Sequence, residues 1–280
     1  MSGRIIPFSV MLVLLLAGLP ASAGSLLFDV STGITWGDFT VQDVTADIST
    51  EYFNPSLSAE FAFGEDDMFA VGVGYAKSGN DFTGEWEDGD EHTDGEITVE
   101  RTTLDLFARL RAGPHFNFKL GYRSFKYEFS DGELDKYEFG ELYESERNAK
   151  ATGDLTTGLD AELNFMGGND FQFRFQLGFS YFFDAEYDWE YDRIRYDPYI
   201  EDRNEGNATA NAVSFRLKPE FAFRLTDNLM ATIDYTFSAT AWDADTDQEN
   251  IEDYPGVEIY SAFGIGLEFR IPLHDSEQDS

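Results

Sequence analysis

The sequence has no cysteine, few basic side chains and no long apolar run beyond its first 23 residues. The missing cysteine excludes a disulfide-stapled secreted domain and a lipoprotein anchored through a cysteine. Only 19 basic residues stand against 54 acidic ones, which argues against a basic patch for nucleic acid or anionic lipid. A membrane-spanning helix needs about 20 apolar residues, so no such helix is predicted after the first 23 residues.

The first 23 residues have the pattern of a secretory signal peptide. Arg4 supplies a positive charge, residues 5–18 form an apolar segment, and Ala21-Ser22-Ala23 is a small-residue cleavage site. We therefore expect export with cleavage of the signal. The chain then divides into a signal peptide (1–23), a membrane domain (24–273) and a polar C-terminal tail (274–280).

The most informative segment is FQFRFQLGFSYFF at residues 171–183. Its aromatic and leucine residues alternate with Gln, Arg, Gly and Ser, and successive side chains of a strand point to opposite faces. A strand that faces lipid on one side and a polar lumen on the other has this pattern. The same alternation recurs along the chain and predicts an all-β fold, a transmembrane antiparallel up-and-down β-barrel. A soluble periplasmic or secreted sandwich is the alternative, since it also buries one face of each strand.

The alternation predicts ten strands, an even number as closed bacterial barrels require, with 8 or 12 as alternatives. The predicted strands are residues 26–37, 55–63, 68–77, 98–111, 116–127, 152–165, 171–183, 208–224, 229–241 and 257–271. Short and long connections alternate between them, as periplasmic turns and extracellular loops do. Aromatic residues beside the short turns predict a girdle at the periplasmic lipid interface; they are Phe63, Phe69, Phe116, Phe165, Phe171 and Phe223.

Pro219 and the four tryptophans need separate interpretation. A closed barrel has no free edge for a proline, so Pro219 predicts a bulge or a shifted boundary in the eighth strand. Trp36, Trp86, Trp189 and Trp242 lie near or in the long connections. They predict an outer aromatic belt, with stacking on a sugar or peptide as the alternative.

The negative charge is concentrated in the long connections. These connections, residues 38–54, 78–97, 128–151, 184–207 and 242–256, hold 35 acidic and six basic residues. They predict long acidic extracellular loops that form a solvated canopy and repel anions.

The predicted inward-facing positions carry balanced charge instead. Their basic residues are Arg101, Arg109, Arg111, Lys119, Arg123, Arg174, Arg216, Lys218, Arg224 and Arg270. Their acidic residues are Asp29, Glu60, Asp105, Asp154, Asp160, Glu162, Glu220, Asp234, Glu258 and Glu268. This balance predicts ion pairs that cross a narrow lumen, because unpaired charges away from bulk water are costly. A ten-stranded barrel should be largely filled, so a general porin is not expected.

One acidic segment has the spacing with which calcium loops begin. Asp243, Asp245, Asp247 and Glu249 stand at every second position. The segment lacks the glycine of such a loop, and Tyr254 stands where a bidentate glutamate would be. The alternatives are a specific calcium site, loosely bound Ca²⁺ or Mg²⁺ that bridges carboxylates to lipopolysaccharide phosphates, and a plain solvated surface. No other cofactor is predicted.

These features resemble Gram-negative outer-membrane β-barrel proteins over the whole mature chain, and ten strands with long loops resemble the omptin proteases. That resemblance implies an Asp pair and an Asp-His pair above the barrel mouth. Asp88, Asp90 and His92 offer both motifs on one connection, whereas the fourth long connection contains no histidine. A general base must lie within reach of its proton, so this set is a weak catalytic candidate, and a solvated histidine is the alternative.

The sequence therefore predicts a monomeric outer-membrane barrel with a structural role, or one in adhesion or binding through its acidic loops. The expected partners are outer-membrane lipid and lipopolysaccharide, together with an extracellular ligand of unknown identity; nucleic acid is excluded by charge. An omptin-like surface protease or another small-barrel enzyme is one alternative. A narrow cation-selective channel is another.

Overall fold

A computed structural model describes residues 24–41, 44–49, 54–64, 67–88, 91–153, 156–168, 170–246 and 254–273. The predicted signal peptide and the predicted tail lie outside these residues. Among the described residues, no helix is long and apolar enough to cross a membrane.

Twelve antiparallel strand segments form one sheet. They are β1 (Gly24–Val41), β2 (Val44–Ser49), β3 (Asn54–Phe63), β4 (Phe69–Asp88), β5 (Glu91–Arg111), β6 (Phe116–Glu138), β7 (Glu141–Gly153), β8 (Thr156–Gly167), β9 (Phe171–Tyr196), β10 (Tyr199–Thr226), β11 (Leu229–Thr246) and β12 (Tyr254–Leu273). Because β2 and β3 both pair with β1 and β4, they share one position in the sheet. Likewise β7 and β8 share one position between β6 and β9. The segments therefore make a ring of ten strands.

The first and last strands close the ring. β1 pairs with β12 without a register shift, from Gly24 opposite Leu273 to Val41 opposite Gly256. A closed sheet leaves no unpaired edge. The predicted all-β fold and its ten-stranded barrel are both confirmed.

The outer surface of the ring is apolar, as the alternation predicts. On β9, Phe171, Phe173, Phe179, Tyr181 and Phe183 are all exposed to the outside. Of the residues between them, Gly178, Ser180 and Phe182 are buried inside. Large apolar side chains exposed over a whole band are the surface that a barrel presents to lipid.

The aromatic girdle beside the short turns is also present. Phe63 and Phe69 have ring centroids 5.9 Å apart, and those of Phe116 and Phe165 are 4.1 Å apart. Phe171 and Phe223 extend the girdle, with centroids 5.1 Å apart. Each pair joins two neighbouring strands, so the girdle holds the strands together at the short-turn end of the barrel.

Pro219 does not cause the bulge that the sequence predicts. It lies in β10 opposite Phe175 of β9, and the register with β9 is continuous there. On the β11 side the paired positions stop at Leu217 and resume at Glu220 in the same register. Pro219 has no backbone N–H to donate, and the ring accommodates it through this short gap in the pairing of β10 with β11.

The predicted long loops are the main error in the sequence interpretation. Most of these residues continue the strands as ordered β-hairpins beyond the apolar band, and β9 and β10 reach 26 and 28 residues. The β6–β7 hairpin turns at Phe139-Gly140 and the β9–β10 hairpin at Asp197-Pro198. We call the upper parts of β4 to β7, β9 and β10 (residues 79–88, 91–100, 128–138, 141–153, 184–196 and 199–210) the raised sheet.

A charge placed on the apolar band should destabilise the barrel. We expect Phe179→Arg to cost about 2–4 kcal/mol of unfolding free energy in lipid, because this residue is 51 % exposed on the outer face of β9. Ile200→Arg is the matched control, since Ile200 is similarly exposed but lies at a hairpin tip, and should change stability by about 0.5 kcal/mol or less. Urea unfolding in vesicles measures both. Equal costs at the two positions would contradict a lipid-facing band.

Candidate functional site

An ion-pair belt fills the middle of the lumen. Its centre is Arg174 on β9, whose Nη1 lies 3.0 Å from Glu220 of β10 and 2.6 Å from Glu268 of β12. Because β9 and β12 are three positions apart in the ring, the second contact crosses the lumen. The belt consists of Glu60, Asp105, Arg109, Lys119, Arg123, Asp160, Glu162, Arg174, Arg216, Lys218, Glu220, Asp234 and Glu268.

The belt is a network rather than a set of separate pairs. Arg123 binds Asp105 through Nε at 2.6 Å, and its Nη1 lies 3.6 Å from Asp160. Asp160 also accepts a hydrogen bond from Arg216 at 2.9 Å. Gly178 makes room for this arrangement, because a Cβ there would come within 2.7 Å of the Arg216 guanidinium. The predicted pairing of inward charges is confirmed for these residues.

An aromatic plug closes the lumen above the belt. Phe125 of β6 contacts Phe182 of β9 and Trp242 of β11, with ring centroids 4.4 and 5.5 Å apart. Tyr127 contacts Trp242 at 5.6 Å, and Val99 and Ala212 complete the buried cluster. Since β6 and β11 lie four positions apart in a ring of ten, these contacts cross the lumen. Belt and plug thus place side chains across the lumen at two levels.

Cavities remain in the lumen beside the belt. One cavity of about 400 Å³ is lined by belt residues, including Arg123, Arg216 and Glu268. A second cavity of about 260 Å³ lies toward the short-turn end and shares Glu60, Arg174 and Glu268 with the first. The lumen around the belt is thus a polar vestibule, with the aromatic plug on the side of the raised sheet.

The raised sheet has an ordered polar network of its own. Lys136 of β6 donates to Glu144 of β7 at 2.7 Å and to Glu146 at 3.1 Å. Arg195 of β9 donates to the other oxygen of Glu144 at 2.9 Å. Arg193 binds Asp202 of β10 with two hydrogen bonds, of 3.0 and 2.7 Å. The contact between Glu144 and Arg195 joins the β6–β7 hairpin to the β9–β10 hairpin.

Glu144 is the centre of this network. Burial pushes the pKa of its carboxyl upward, but hydrogen bonds from Lys136 and Arg195 outweigh burial and hold the pKa below its ordinary value. On Lys136, burial opposes the charged form, but the contacts with Glu144 and Glu146 raise the pKa above its ordinary value. Both groups are therefore charged at neutral pH.

The catalytic candidates come together only in part. His92 Nε2 lies 2.7 Å from Asp94 Oδ1, and the His92 ring lies 5.9 Å from that of Tyr137. Asp88 ends β4, and Asp90 lies outside the described residues. His115 is in a short turn at the opposite end of the barrel, where its Nδ1 lies 2.9 Å from the Met166 carbonyl oxygen.

The metal candidates divide in the same way. Asp243 and Asp245 belong to β11, opposite Asn211 and Thr209 of β10. Asp247 and Glu249 lie outside the described residues. Within the described part of the chain, no cluster of three or more acidic, histidine or cysteine side chains could hold a metal ion. The calcium site stays a prediction.

Two tryptophans differ from the predicted outer belt. Trp242 packs in the plug, and Trp189 of β9 lies across Gly206 of β10, where any Cβ would collide with its ring. Sequence reasoning also missed Phe125 and Phe182. The sequence does indicate their inward orientation, because each lies two positions after an inward polar residue, Arg123 and Ser180 respectively.

Comparisons with known proteins agree with this architecture. No protein-family model matches the chain, and no curated protein matches its sequence. The outer membrane protease OmpT from Escherichia coli is similar in structure, with a TM-score of 0.51 and 13% identity, over 88% of this chain and 97% of that chain. The translocator domain of the autotransporter NalP from Neisseria meningitidis has a TM-score of 0.43 and 10% identity, over 94% of each chain.

A third similar structure is the Pseudomonas putida toluene transporter TodX, with a TM-score of 0.41 and 10% identity, over 91% of this chain and 92% of that chain. At these identities the likeness concerns the fold alone. The chain has the fold of an outer-membrane β-barrel.

Acid should loosen the contact between the two hairpins. The pKa of the Glu144 carboxyl is lower in the folded protein than in the unfolded chain, where it is near 4.5. The ionised carboxylate therefore stabilises the fold above pH 4.5, and this stabilisation is lost as the pH falls through the folded pKa. We expect amide exchange in residues 144–147 and 192–195 to become severalfold faster, relative to the barrel strands, between neutral pH and about pH 3. Glu144→Gln should exchange fast already at neutral pH, and the exposed Glu186→Gln should behave like the wild type. An exchange rate of these residues, relative to the barrel strands, that does not change with pH would contradict this role.

Proposed function

We propose that this protein is an outer-membrane barrel that acts as a surface-binding protein and presents the raised sheet to the extracellular side. The length of the strands carries this proposal. A membrane β-strand needs about 9–11 residues, whereas β9 and β10 have 26 and 28. More than half of each strand is therefore available above the membrane.

The raised sheet suits binding because it is ordered and displayed at the end of a fixed anchor. Strands hold side chains in a defined array, and interface residues that are ordered before binding lose less entropy on contact. Ion pairs fix the relative position of two of its hairpins, as between Glu144 and Arg195. A ligand would thus meet a preformed surface rather than a set of mobile loops.

The closed lumen supports binding over conduction. A channel needs a continuous polar path, but the plug formed around Phe125, Phe182 and Trp242 crosses the lumen. In this proposal the barrel is a monomer in the outer membrane, surrounded by lipid and lipopolysaccharide, and the belt stabilises the barrel rather than selecting ions.

Electrical recording tests the closed lumen. In planar bilayers we expect the purified protein to show no steady conductance, because the aromatic plug crosses a lumen that the belt has already narrowed. A variant with Phe125→Ala, Phe182→Ala and Trp242→Ala should show brief, small openings, while Phe179→Ala on the outer face should remain closed. Large, steady, cation-selective openings of the wild type would favour the channel instead.

The contact between His92 and Asp94 favours a second candidate function, a surface protease with an omptin-like architecture. An imidazole beside a carboxylate can serve as a general base. Incubation of the protein with a mixture of quenched fluorescent peptides tests this function. We expect no cleavage above the level of His92→Ala; cleavage lost in His92→Ala but kept in His115→Ala would establish the protease.

A further inference from the structure

Phe139 at the tip of the β6–β7 hairpin stands where folding alone gives no reason for a phenylalanine. Its side chain is 75 % exposed, and its φ of 51° lies in the left-handed region. Gly140 follows with φ of 79°, so two consecutive positive φ angles make a hairpin turn that Asn-Gly fits best. A left-handed conformation costs a residue other than glycine about 1–2 kcal/mol. Strain of this kind, kept at an exposed site, points to a function.

The tip of the β9–β10 hairpin also exposes large apolar side chains. Tyr196, Tyr199 and Ile200 are exposed at the end of the β9–β10 hairpin, with Tyr199 at 65 %. The hydroxyl oxygens of Ser145 and Tyr196 lie 3.3 Å apart and join the β6–β7 hairpin to the tip of the β9–β10 hairpin. We call Phe139, Tyr196, Tyr199 and Ile200 the aromatic edge.

The surroundings of the aromatic edge have unbalanced charge. Residues 128–151 and 184–207 contain 17 acidic and six basic side chains. All six basic side chains, Lys136, Arg147, Lys150, Arg193, Arg195 and Arg203, already form ion pairs within the raised sheet. The surplus carboxylates can therefore be neutralised only from outside the raised sheet.

The surplus is sharpest beside Phe139. Glu138 stands directly opposite Glu91 on one side and directly opposite Glu141 on the other. Like charges in directly opposed positions of a sheet destabilise it. This row of three glutamates flanks the exposed phenylalanine, so a partner that brings positive charge would relieve the repulsion where it also contacts the ring.

We propose that the aromatic edge and the glutamate row form the docking surface for a cationic, amphipathic polypeptide segment. Lysine or arginine side chains of the partner contact Glu91, Glu138 and Glu141, while an apolar side chain covers Phe139. A second copy of this chain and an anionic membrane are disfavoured, because either would bring negative charge to a negative surface. The proposal rests on the surface-binding function above and names the chemistry of its ligand.

The test uses the full chain in nanodiscs of zwitterionic lipid and two labelled probes. One is a lysine–leucine amphipathic peptide, and the other is an oligolysine of equal charge. Fluorescence anisotropy at low and high salt measures both affinities. We expect the wild type to bind the amphipathic peptide about tenfold more tightly than oligolysine, because an aromatic anchor typically adds more than 1 kcal/mol.

The decisive variant is Phe139→Asn, which creates the preferred Asn-Gly turn and should keep or improve folding. It should weaken binding of the amphipathic peptide about tenfold and leave oligolysine unchanged. Leu225→Asn, at an exposed position on the opposite end of the barrel, should change neither. Glu138→Gln with Glu141→Gln should weaken both probes, and more so than Glu186→Gln with Asp188→Asn.

Failure of this proposal differs from failure of the proposed function. Equal affinity of Phe139→Asn and the wild type for the amphipathic peptide, with oligolysine still bound, would overturn the docking surface and leave an acidic binding surface. No binding of either probe by the wild type, even at low salt, would overturn the surface-binding function itself. A third outcome is that calcium abolishes peptide binding by the wild type while Phe139→Asn has no effect. That result would overturn the polypeptide partner and indicate diffuse binding of cations.

Discussion

The closure of the sheet between β1 and β12 is the constraint on which the other features depend. Once the ring closes, every strand has two hydrogen-bonded neighbours and every side chain points either outward or into a narrow lumen. The outward set can then be entirely apolar. The inward set is largely shielded from bulk water, and Arg174, Glu220 and Glu268 pair with one another. A buried pair of this kind adds little net stability, but the loss of one partner is costly.

Closure also explains why the lumen changes character along its axis. In the middle, long charged side chains reach across the ring and meet, as Arg174 and Glu268 do. Above them the same inward positions carry Phe125, Phe182 and Trp242, whose rings meet edge to face and need no counter-ion. Both the belt and the plug occupy the lumen, the belt with ion pairs and the plug with aromatic rings. Because the plug lies above the belt, it separates the polar vestibule from the raised sheet.

The fold could be predicted from the sequence because its signal is periodic and repeated. The outward residues from Phe171 to Phe183 alternate with inward ones at a period of two. Outer-membrane barrels combine that period with alternating short and long connections. The belt could be predicted for the same reason, since inward charges such as Arg123 and Asp160 are in phase with the strand. Neither inference depended on a single residue.

The raised sheet could not be predicted because bulges break that phase. At Asp184, φ is 53°, and two residues of β9 stand opposite Asn211 of β10. Beyond this point Ala185 and Tyr187 take the inner positions that even-numbered residues hold below it. Asp131 and Asn148 also have positive φ, beside register shifts in the β6–β7 pairing. Each bulge shifts the alternation of inward and outward residues by one position. The sequence of such a segment therefore resembles that of an irregular acidic loop.

The bulges and the charge lead to a common conclusion about the raised sheet. Sequences selected only for stability place Asn-Gly at such turns and opposite charges across strands. This sheet instead carries Phe139-Gly140 at one tip and sets Glu138 between Glu91 and Glu141. The barrel below is a closed ring, and it holds hairpins that are locally unfavourable. Locally destabilising features that a fold retains are expected at its functional site. In this protein they lie together at the end of the barrel farthest from the short turns.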